Sequence, residues 1–452
     1  MAEQIMQETA VKAIPAGYQQ TEVGVIPEDW SVSPMSSLTC LMTNGFVGTA
    51  KTHYTEAHNG VTYIQGYNVE ENGFNFHGIK KVTEEFHRKN SKSCLRAGDL
   101  LMVQTGDVGL VTVVPPCLEG SNCHALIINR FKPEYDSAFF SYLFNSQQGR
   151  MRLKELETGT TMKHINVGDL LNFVVPFPSK KQEQTAIANV LSDSDALIGA
   201  LEQLIAKKQA IKSATMQQLL TGRTRLPAFA LRPDGTPKGY KSSELGDIPE
   251  DWEVVCAGDV GRFRGGNGFP VIEQGKLSGE YPFYKVSDMN NEGNDVYMSV
   301  SNNWISKDVQ SRIGCFVFPS GCIVFAKVGA AVFLERKKIL SMPSCIDNNM
   351  AALELNRAKC DVNFVYHFLQ SIRFGDFVST TALPSLNSAV LSKIKIITPS
   401  IKEQTAIATI LSDMDNELQA LTQKLEKARA LKQGMMQQLL TGKIRLPLAV
   451  GA

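Results

Sequence analysis

Two segments of this chain repeat each other at a nearly constant spacing. Residues 183–227 and 403–447, which lie 220 positions apart, are identical at 26 of 45 aligned positions. Upstream of each, residues 17–32 and 239–254 share 10 of 16 positions. The stretches between these segments diverge strongly. A chain written this way is expected to fold as two related units, each with one variable part and one shared part.

The variable parts keep traces of a common scaffold. Gly98–Gly106 and Gly321–Gly329 are short apolar runs bounded by glycines, a pattern that predicts a buried strand followed by a turn. Residues 226–240 are rich in proline and glycine and are typical of a linker. The predicted order is a first variable domain (17–178), a central helix (179–225), the linker (226–240), a second variable domain (241–399) and a C-terminal helix (400–446).

Each shared segment carries the start and stop signals of one long helix. Ser400–Glu403 fits a capping box, and Ser179–Gln182 fits its glutamine form. Gly222 and Gly442 close the segments, since glycine readily takes the left-handed conformation that ends a helix. Because no proline lies between these signals, we predict two helices of roughly 40 residues, or roughly 60 Å each.

An apolar stripe with alternating spacings of four and three residues runs along each predicted helix, as in a coiled-coil seam. Ser194 and Lys208 interrupt the stripe in the first copy. The alternative is that each helix packs only on its own domain, but a seam of this length needs a partner. We therefore predict an α+β fold: two mixed α/β domains separated by two long helices that form an antiparallel coiled coil, with a pseudo-two-fold internal repeat. The predicted seam residues are Ile187, Leu191, Ile198, Leu201, Ile205, Ile407, Leu411, Met414, Leu418, Leu421 and Leu425.

Composition narrows the protein class. Lys plus Arg number 46 and Asp plus Glu number 45, so any nucleic-acid surface has to be a local basic face. The nine cysteines include no C-x-x-C pair, which favours reduced cytoplasmic thiols over disulfides or a zinc site. The N-terminus has no apolar core of signal-peptide length, and no stretch of about 18 apolar residues predicts a membrane span.

Several motifs recur in the same order in both halves. They are IPEDW at Ile26–Trp30 and Ile248–Trp252, EQTAIA from Glu183 and from Glu403, and MQQLLTG at Met216–Gly222 and Met436–Gly442. A Thr-Thr pair followed by asparagine precedes each helix, at Thr160–Asn166 and, with one extra residue, at Thr380–Asn387. In this duplicated order, over nearly its whole length, the chain resembles the specificity subunits of type I restriction-modification enzymes.

The resemblance implies that each variable domain is a target-recognition domain for one half of a bipartite double-stranded DNA site. It implies that the helices separate the domains and bind two methyltransferase subunits, and that a full complex adds two ATP-dependent restriction subunits. It also implies that this chain holds no cofactor, and that S-adenosylmethionine, ATP and Mg²⁺ belong to partner subunits. Dissimilar domains on similar scaffolds predict an asymmetric target, because readout depends on side chains at base edges.

Candidate DNA contacts are basic or amide side chains in glycine-rich or charged stretches. Residues 76–96 of the first domain carry a local balance of +4, although a solvated face would explain the same charge. Charged turns are the alternative for the second-domain candidates. The candidates are Lys80, Lys81, Arg88, Lys89, Lys92, Lys163, His164, Asn166, Arg262, Arg264, Asn267, Lys327, Arg336, Lys337 and Lys338.

Catalytic motifs are missing from the sequence. It has no Asn/Asp-Pro-Pro-aromatic tetrad, no phosphate-binding G-x-x-x-x-G-K-[ST] loop and no H-E-x-x-H zinc helix. Phe263–Gly268 approaches a methyl-donor loop, but Asn267 replaces its second glycine, and we interpret the segment as a turn. We therefore predict a non-catalytic DNA-specificity subunit without a metal site. The alternatives are a stand-alone nuclease or methyltransferase and a coiled-coil adaptor that binds only protein.

Overall fold

The computed structural model describes residues 14–160, 163–378 and 384–447, and the chain divides into two compact units. Unit 1 comprises the residues up to Glu202 and those from Lys424 onwards, and unit 2 comprises Gln203–Gln423. Within the described ranges, no helix combines the length and apolar character needed to cross a membrane. The N-terminal residues 1–13 and the threonines Thr161, Thr380 and Thr381 lie outside the description.

Unit 1 is a mixed α/β domain joined to parts of the two long helices. Its strands are β1 (Tyr18–Thr21), β2 (Gly24–Pro27), β3 (Trp30–Pro34), β4 (Thr39–Asn44), β5 (Val61–Ile64), β6 (Val69–Glu70), β7 (Gly73–Phe74), β8 (Lys80–Val82), β9 (Leu100–Val103), β10 (Val111–Val113), β11 (Asn122–Cys123), β12 (Leu126–Phe131) and β13 (Val174–Pro178). Its helices are α1 (Met35–Leu38), α2 (Glu84–Lys89), α3 (Ser137–Asn145), α4 (Gln147–Lys154), α5 (Val167–Leu171) and the first part of α6 (Lys181–Leu220). An antiparallel sheet has the order β10-β9-β12-β4, and a smaller one, β11-β5-β8, contains a parallel pair.

Unit 2 repeats this architecture. Its strands are β14 (Tyr240–Ser243), β15 (Gly246–Pro249), β16 (Glu253–Cys256), β17 (Gly261–Gly265), β18 (Tyr281–Tyr284), β19 (Tyr297–Met298), β20 (Trp304–Ile305), β21 (Ile323–Ala326), β22 (Lys337–Leu340), β23 (Cys345–Ile346), β24 (Met350–Leu355) and β25 (Lys395–Thr398). Its helices are the end of α6, α7 (Pro227–Ala230), α8 (Ala257–Val260), α9 (Lys307–Ile313), α10 (Val362–Gln370), α11 (Ser388–Leu391) and most of α12 (Ile401–Leu439). The large sheet, β22-β21-β24-β17, matches β10-β9-β12-β4 strand for strand and gains β19 at its edge.

The glycine-bounded runs form the buried strands that the sequence predicts. All four residues of β9 and all four of β21 are buried. The flanking Gly98 and Gly106 have φ of +87° and +90°, and Gly321 and Gly329 have +83° and +79°, a conformation that side chains other than glycine rarely adopt. The prediction of a common scaffold under divergent sequence is confirmed.

The two long helices have 40 and 39 residues, as predicted, and they run antiparallel in each unit. In unit 1, Arg429 of α12 pairs with Glu202 of α6 at 2.6 Å. In unit 2, Lys208 of α6 pairs with Glu417 of α12 at 2.7 Å. The predicted seam residues are all buried or half-buried, and Lys208, which interrupts the apolar stripe, carries an interhelical ion pair.

The predicted helix ends are mostly confirmed. Gly222 and Gly442 have φ of +71° and +69°, and the Ser400 hydroxyl accepts a hydrogen bond from the Glu403 N–H at 3.4 Å. The capping box predicted at Ser179 is wrong, because α6 begins at Lys181 and the Lys180 carbonyl accepts the first helical bond, from the Gln184 N–H at 3.4 Å.

The predicted linker is partly ordered. It contains the one-turn helix α7, and Arg232 within it forms an ion pair with Glu250 at 2.7 Å. A bridge between Leu231 and Pro237 closes a turn. Residues 226–240 are therefore folded onto unit 2 rather than extended.

A matched polar triad ties each domain to both long helices. In unit 1 the Tyr142 hydroxyl donates to Asp195 at 2.8 Å, and Lys432 pairs with Asp195 at 2.6 Å. Unit 2 has His367, Asp415 and Lys212 in these places: Lys212 bonds Asp415, and the His367 Nδ1 lies 3.8 Å from the same carboxylate. His367 is 1% exposed, and the fold therefore keeps the carboxylate and lysine but changes the third member.

We predict that His367 makes unit 2 sensitive to acid. Burial, reinforced by Lys212 and opposed by Asp415, lowers the pKa of His367 to about 4, so the folded protein holds the ring neutral. Below the ordinary pKa of about 6.5 the unfolded chain takes up the proton first, and stability present above pH 6.5 falls as the pH approaches 4. The loss is about 2 kcal/mol between pH 6.5 and 5, at about 1.4 kcal/mol per pH unit.

The measurement is the thermal unfolding midpoint at pH 7.5 and 5.0, each variant being compared with itself. His367→Tyr, which installs the residue found in unit 1, should reduce the acid-induced drop. An equal drop in the two proteins would contradict the assignment to His367.

Candidate nucleic-acid interface

In unit 1, the IPEDW motif belongs to a carboxylate anchor made of Trp30, Glu183, Arg445 and Asp29. The Trp30 indole N–H donates to Glu183 at 3.4 Å. Arg445 donates two bonds of 2.7 Å to Glu183 and two of 2.7 and 2.8 Å to Asp29. The Glu183 side chain is only 5% exposed, so the arginine supplies the charge that its burial requires.

In unit 2, the matching anchor is Trp252, Glu403, Arg225 and Asp251. The Trp252 N–H donates to Glu403 at 3.0 Å, and Arg225 bonds the same carboxylate at 2.8 and 2.9 Å. Arg225 also bonds Asp251 at 2.8 and 3.2 Å. Burial would raise the pKa of Asp251, but hydrogen bonds from Arg225 and Lys238 outweigh it and lower that pKa to about 2.

The glycines that end the long helices are required by the same anchors. A Cβ on Gly442 would lie 2.4 Å from Pro27, and one on Gly222 would lie 2.5 Å from Pro249. The Tyr18 hydroxyl donates to the Gly442 carbonyl at 3.0 Å. The repeated IPEDW and LLTG motifs therefore contact each other, and IPEDW serves the scaffold rather than base recognition.

The shared Glu-Gln-Thr run at each helix start caps a domain helix. The Gln184 side chain accepts from the Asp136 N–H at 2.9 Å, and the Thr185 hydroxyl donates to the Asp136 carboxylate at 2.5 Å. Asp136 is the N-cap of α3. Unit 2 makes the same bonds between Gln404, Thr405 and Asp361, at 2.9 and 3.0 Å.

We predict that Arg225→Met destabilises the protein more than Arg445→Met does. Arg225 is 7% exposed and its partner Glu403 is 2% exposed, so the first change leaves a buried carboxylate unpaired, at a cost of about 3 kcal/mol or more. Arg445 is 39% exposed, and water can replace part of its contribution. Denaturant titration of both variants checks the order; equal losses would contradict the burial argument.

The basic stretch of the first domain forms β8, α2 and the turn that follows. Lys80 is exposed and Lys81 is half-buried on β8, and Lys92 is exposed. Arg88 and Lys89 are also exposed, but they lie 3.9 and 2.7 Å from Glu84 and Glu85 one turn earlier. Of the predicted contacts in this stretch, the three lysines at 80, 81 and 92 are the ones without an acidic partner within the described residues.

The pre-helix stretch of the first domain, which the structure describes at residues 163–166, lies against the end of β9. Ile165 N–H bonds the Gln104 carbonyl at 3.3 Å, and His164 bridges Thr105. Lys163 pairs with Glu157 at 2.9 Å and remains 68% exposed. The Asn166 amide donates to Asp169 at 3.1 Å, so this asparagine is engaged at the start of α5.

The predicted basic loop of the second domain is wrong in its local structure, because Arg262 and Arg264 lie on the edge strand β17. Arg262 is exposed, whereas the Arg264 guanidinium stacks 3.8 Å from the Phe316 ring centroid. Asn267 accepts from the Phe316 N–H at 3.0 Å. The sequence predicts a turn over Phe263–Gly268, but the residues up to Gly265 belong to β17 and Asn267 forms a parallel bridge with Asp347.

Neighbouring glycines explain the shape of this edge. A Cβ on Gly266 would lie 2.1 Å from the Asp347 carbonyl, and one on Gly265 would lie 2.5 Å from the Lys327 ammonium. The glycines therefore allow close approach of protein groups. Lys327 itself is half-buried, and its backbone pairs with Leu386 of the second pre-helix stretch at 2.8 Å.

The structure contradicts the prediction that Lys337 contacts DNA. It is 1% exposed, bonds Glu335 at 2.8 Å and the Ile372 carbonyl at 2.9 Å, and lies over the Phe374 ring. Its ammonium serves the core of unit 2. Lys338 is half-buried, donates to the Asp295 carbonyl, and has its pKa lowered by burial; Arg336 beside it is half-buried as well.

In the part of the chain that the structure describes, no group of three or more His, Cys, Asp or Glu side chains could hold a metal ion. The residues that sequence reasoning missed are the arginines of the two anchors. The signal was present, since Arg225 and Arg445 are charged residues retained at matched positions of the repeat.

Comparison with known proteins agrees with this duplicated architecture. A family model described as the type I restriction modification DNA specificity domain matches residues 27–212 and again residues 249–429. The MjaX type I restriction enzyme specificity subunit of Methanocaldococcus jannaschii is 27% identical over 443 residues, covering 95% of this chain and 97% of its own. The EcoDI specificity subunit of Escherichia coli is 23% identical over 320 residues, covering 65% and 66%.

The solved structure of a type I restriction-modification S subunit from M. genitalium has the same fold. It aligns with a TM-score of 0.58 at 19% identity, over 91% of this chain and 96% of that one. Because the family model takes in most of the sequence in two copies, the chain belongs to the family of type I restriction-modification specificity subunits.

Proposed function

We propose that this chain selects the sites of a type I restriction-modification complex by reading an asymmetric, bipartite DNA target, one half with each variable domain. Specificity subunits are the non-catalytic members of such systems. The observation that carries the proposal is one fold, fixed twice by matched anchors, with different side chains on its surface. Two readers of different chemistry recognise two different half-sites.

The long helices support a fixed distance between the half-sites. A helix of 40 residues spans about 60 Å, and interhelical ion pairs such as Lys208–Glu417 set the register of the two. Proteins that contact two half-sites favour spacings near a helical turn of DNA, about 34 Å, or a related distance. The helix pair would thus act as a spacer.

We predict that inserting one heptad into both helices, after Glu202 and after Gln423, lengthens the recognised gap. Seven residues add about 10 Å, which corresponds to about 3 base pairs at 3.4 Å each. Selection from a random duplex library with the full-length chain measures the gap. The unaltered chain should enrich a bipartite motif, and failure to enrich any motif would contradict the proposed function; an unchanged gap would contradict only the spacer.

Both helices carry the same exposed stripe, which supports docking of two copies of one partner. Six exposed positions are identical between the copies, at successive spacings of 7, 3, 4, 3 and 7 residues, and therefore lie along one helix face. They are Asp193, Ala200, Gln203, Lys207, Ala210 and Gln217 on α6, and Asp413, Ala420, Gln423, Lys427, Ala430 and Gln437 on α12. Burial does not explain why exposed residues match, whereas an identical partner does.

We predict that Lys207→Glu and Lys427→Glu each remove one of two methyltransferase subunits from the complex, and that the double variant removes both. Charge reversal in the middle of a docking face opposes binding through like-charge or unpaired contacts. The mass of the purified complex reports the stoichiometry. Lys424→Glu, an exposed position that differs between the copies, is the control, and equal loss with this variant would contradict the stripe.

We predict that Lys80→Ala with Lys81→Ala weakens DNA binding and lowers its salt dependence. Each lysine that contacts a phosphate releases about one counterion, so the slope of log affinity against log salt should fall by about two. A salt titration of the full-length chain measures it. The charge-matched pair Lys402→Ala and Lys424→Ala on α12 should leave the slope unchanged, and an unchanged slope in the first double variant would remove β8 from the interface.

S-adenosylmethionine, ATP and Mg²⁺ would bind the partner methyltransferase and restriction subunits, which act in the cytoplasm where their DNA substrate is. A methyl-transfer assay of the purified chain, with and without its partner, tests this division. Activity in the isolated chain would favour a stand-alone enzyme.

A further inference from the structure

One exposed turn occupies the same place in both domains but has different chemistry. It is the single 3-10 turn Lys51–His53 in unit 1 and Val271–Glu273 in unit 2, named here the reading turn. Each follows an edge strand of the large sheet, β4 or β17. The backbone leading to it is fixed by equivalent bonds, from the Gly45 N–H to the Leu126 carbonyl at 2.7 Å and from the Gly266 N–H to the Met350 carbonyl at 3.0 Å.

The residue directly after each reading turn, Tyr54 or Gln274, accepts a matched hydrogen bond. In unit 1 the Gln65 amide donates to the Tyr54 hydroxyl at 3.2 Å, and in unit 2 the Lys285 ammonium donates to the Gln274 side chain at 3.1 Å. Gln65 and Lys285 each precede a capped 3-10 helix. The geometry is therefore the same in both units while the side chains differ, as expected for two readers of different sequences.

The tip of the unit 2 turn presents apolar side chains on a rigid base. Val271 is 83% exposed and Ile272 is 84% exposed. Glu273, 5% exposed, holds the turn from beneath through Lys276 at 2.6 Å and through Arg312. Two adjacent β-branched side chains are thus held in solvent in a fixed geometry. Their apolar character has no role in the core of the free chain, so a binding partner is the better explanation for it.

The surroundings of this tip favour DNA as the occupant. Lys276 and Arg312, whose side chains are 52% and 64% exposed, bear two positive charges beside the turn against the one negative charge of the buried Glu273. Lys285 lies near Asp288 and Asp347 and adds no net positive charge. At the equivalent tip in unit 1, Lys51, Thr52 and His53 are all exposed. A basic rim around an apolar tip complements phosphates on either side of a groove and the apolar groups inside it.

We infer that the reading turns enter the DNA and determine one or two bases within each half-site. Val271 and Ile272 contact thymine methyl groups in the major groove, and Lys51 and His53 donate to the acceptors of guanine, O6 and N7. The unit 2 half-site then contains A·T pairs and the unit 1 half-site contains G·C pairs at the turn. The inference rests on the proposed reading of DNA by both domains.

The test compares thymine with deoxyuridine, which lacks the methyl group. The full-length chain is first used to select its motif from a random duplex library, and uracil then replaces thymine at single positions in the unit 2 half-site. At one or two positions the substitution should weaken binding about fivefold. Val271→Ser with Ile272→Ser should lose about tenfold in preference for thymine there and become indifferent to uracil, leaving the other half-site unchanged.

Leu277→Ser is the matched control, because Leu277 is 79% exposed on the same loop but lies outside the turn. It should keep the sensitivity to uracil, and thermal unfolding should show that all variants remain folded. Equal binding of thymine and uracil duplexes at every position would overturn the inference. An unaltered motif in the serine variant would also overturn it, even if that variant loses a protein subunit. A parent chain that enriches no motif would fail the proposed function itself.

Discussion

A buried carboxylate at the start of each long helix is the group on which the rest of the structure depends. Glu183 and Glu403 accept from a tryptophan N–H and from an arginine near the end of the other helix. A buried carboxylate without such partners would be strongly destabilising, so the domain, the helix start and the distant arginine have to assemble together. This requirement links IPEDW, EQT and the terminal arginine into one set of interacting residues, and the set occurs twice in the chain.

Polar groups between the two long helices fix the register in which the helices pair. An entirely apolar seam can slide by a heptad, whereas a charged pair at a seam position specifies one alignment. Lys208–Glu417 and the triad around Asp415 do this in unit 2, and the triad around Asp195 does it in unit 1. The interruption of the apolar stripe at Lys208 therefore contributes specificity, whereas the Ser194 hydroxyl bonds the Val190 carbonyl of its own helix. The domains can vary their surfaces because the scaffold beneath them is set independently.

Local signals predicted the parts of the fold that local physics determines. Helix length followed from caps and the absence of proline, and the buried strands followed from apolar runs between glycines such as Gly98 and Gly106. The partners of Arg225 and Arg445 could not be predicted this way, because Glu403 and Glu183 lie 178 and 262 residues away. Likewise charge alone could not separate Lys80, which is exposed, from Lys337, which is buried under Phe374. The reading turns could not be predicted from the sequence either, because adjacent residues such as Val271 and Ile272 are typical of a buried core.

We propose that the chain consists of a repeated scaffold and two independent readers, and a chain with one reader duplicated tests this division most directly. Replacing residues 33–172 with the corresponding residues 255–393 keeps the anchors and places the second domain's surface on both scaffolds. Selection from random duplex DNA with this chain should yield the second half-site twice, separated by the original gap. Retention of the original asymmetric motif would contradict the account, because bases would then be chosen by the shared segments.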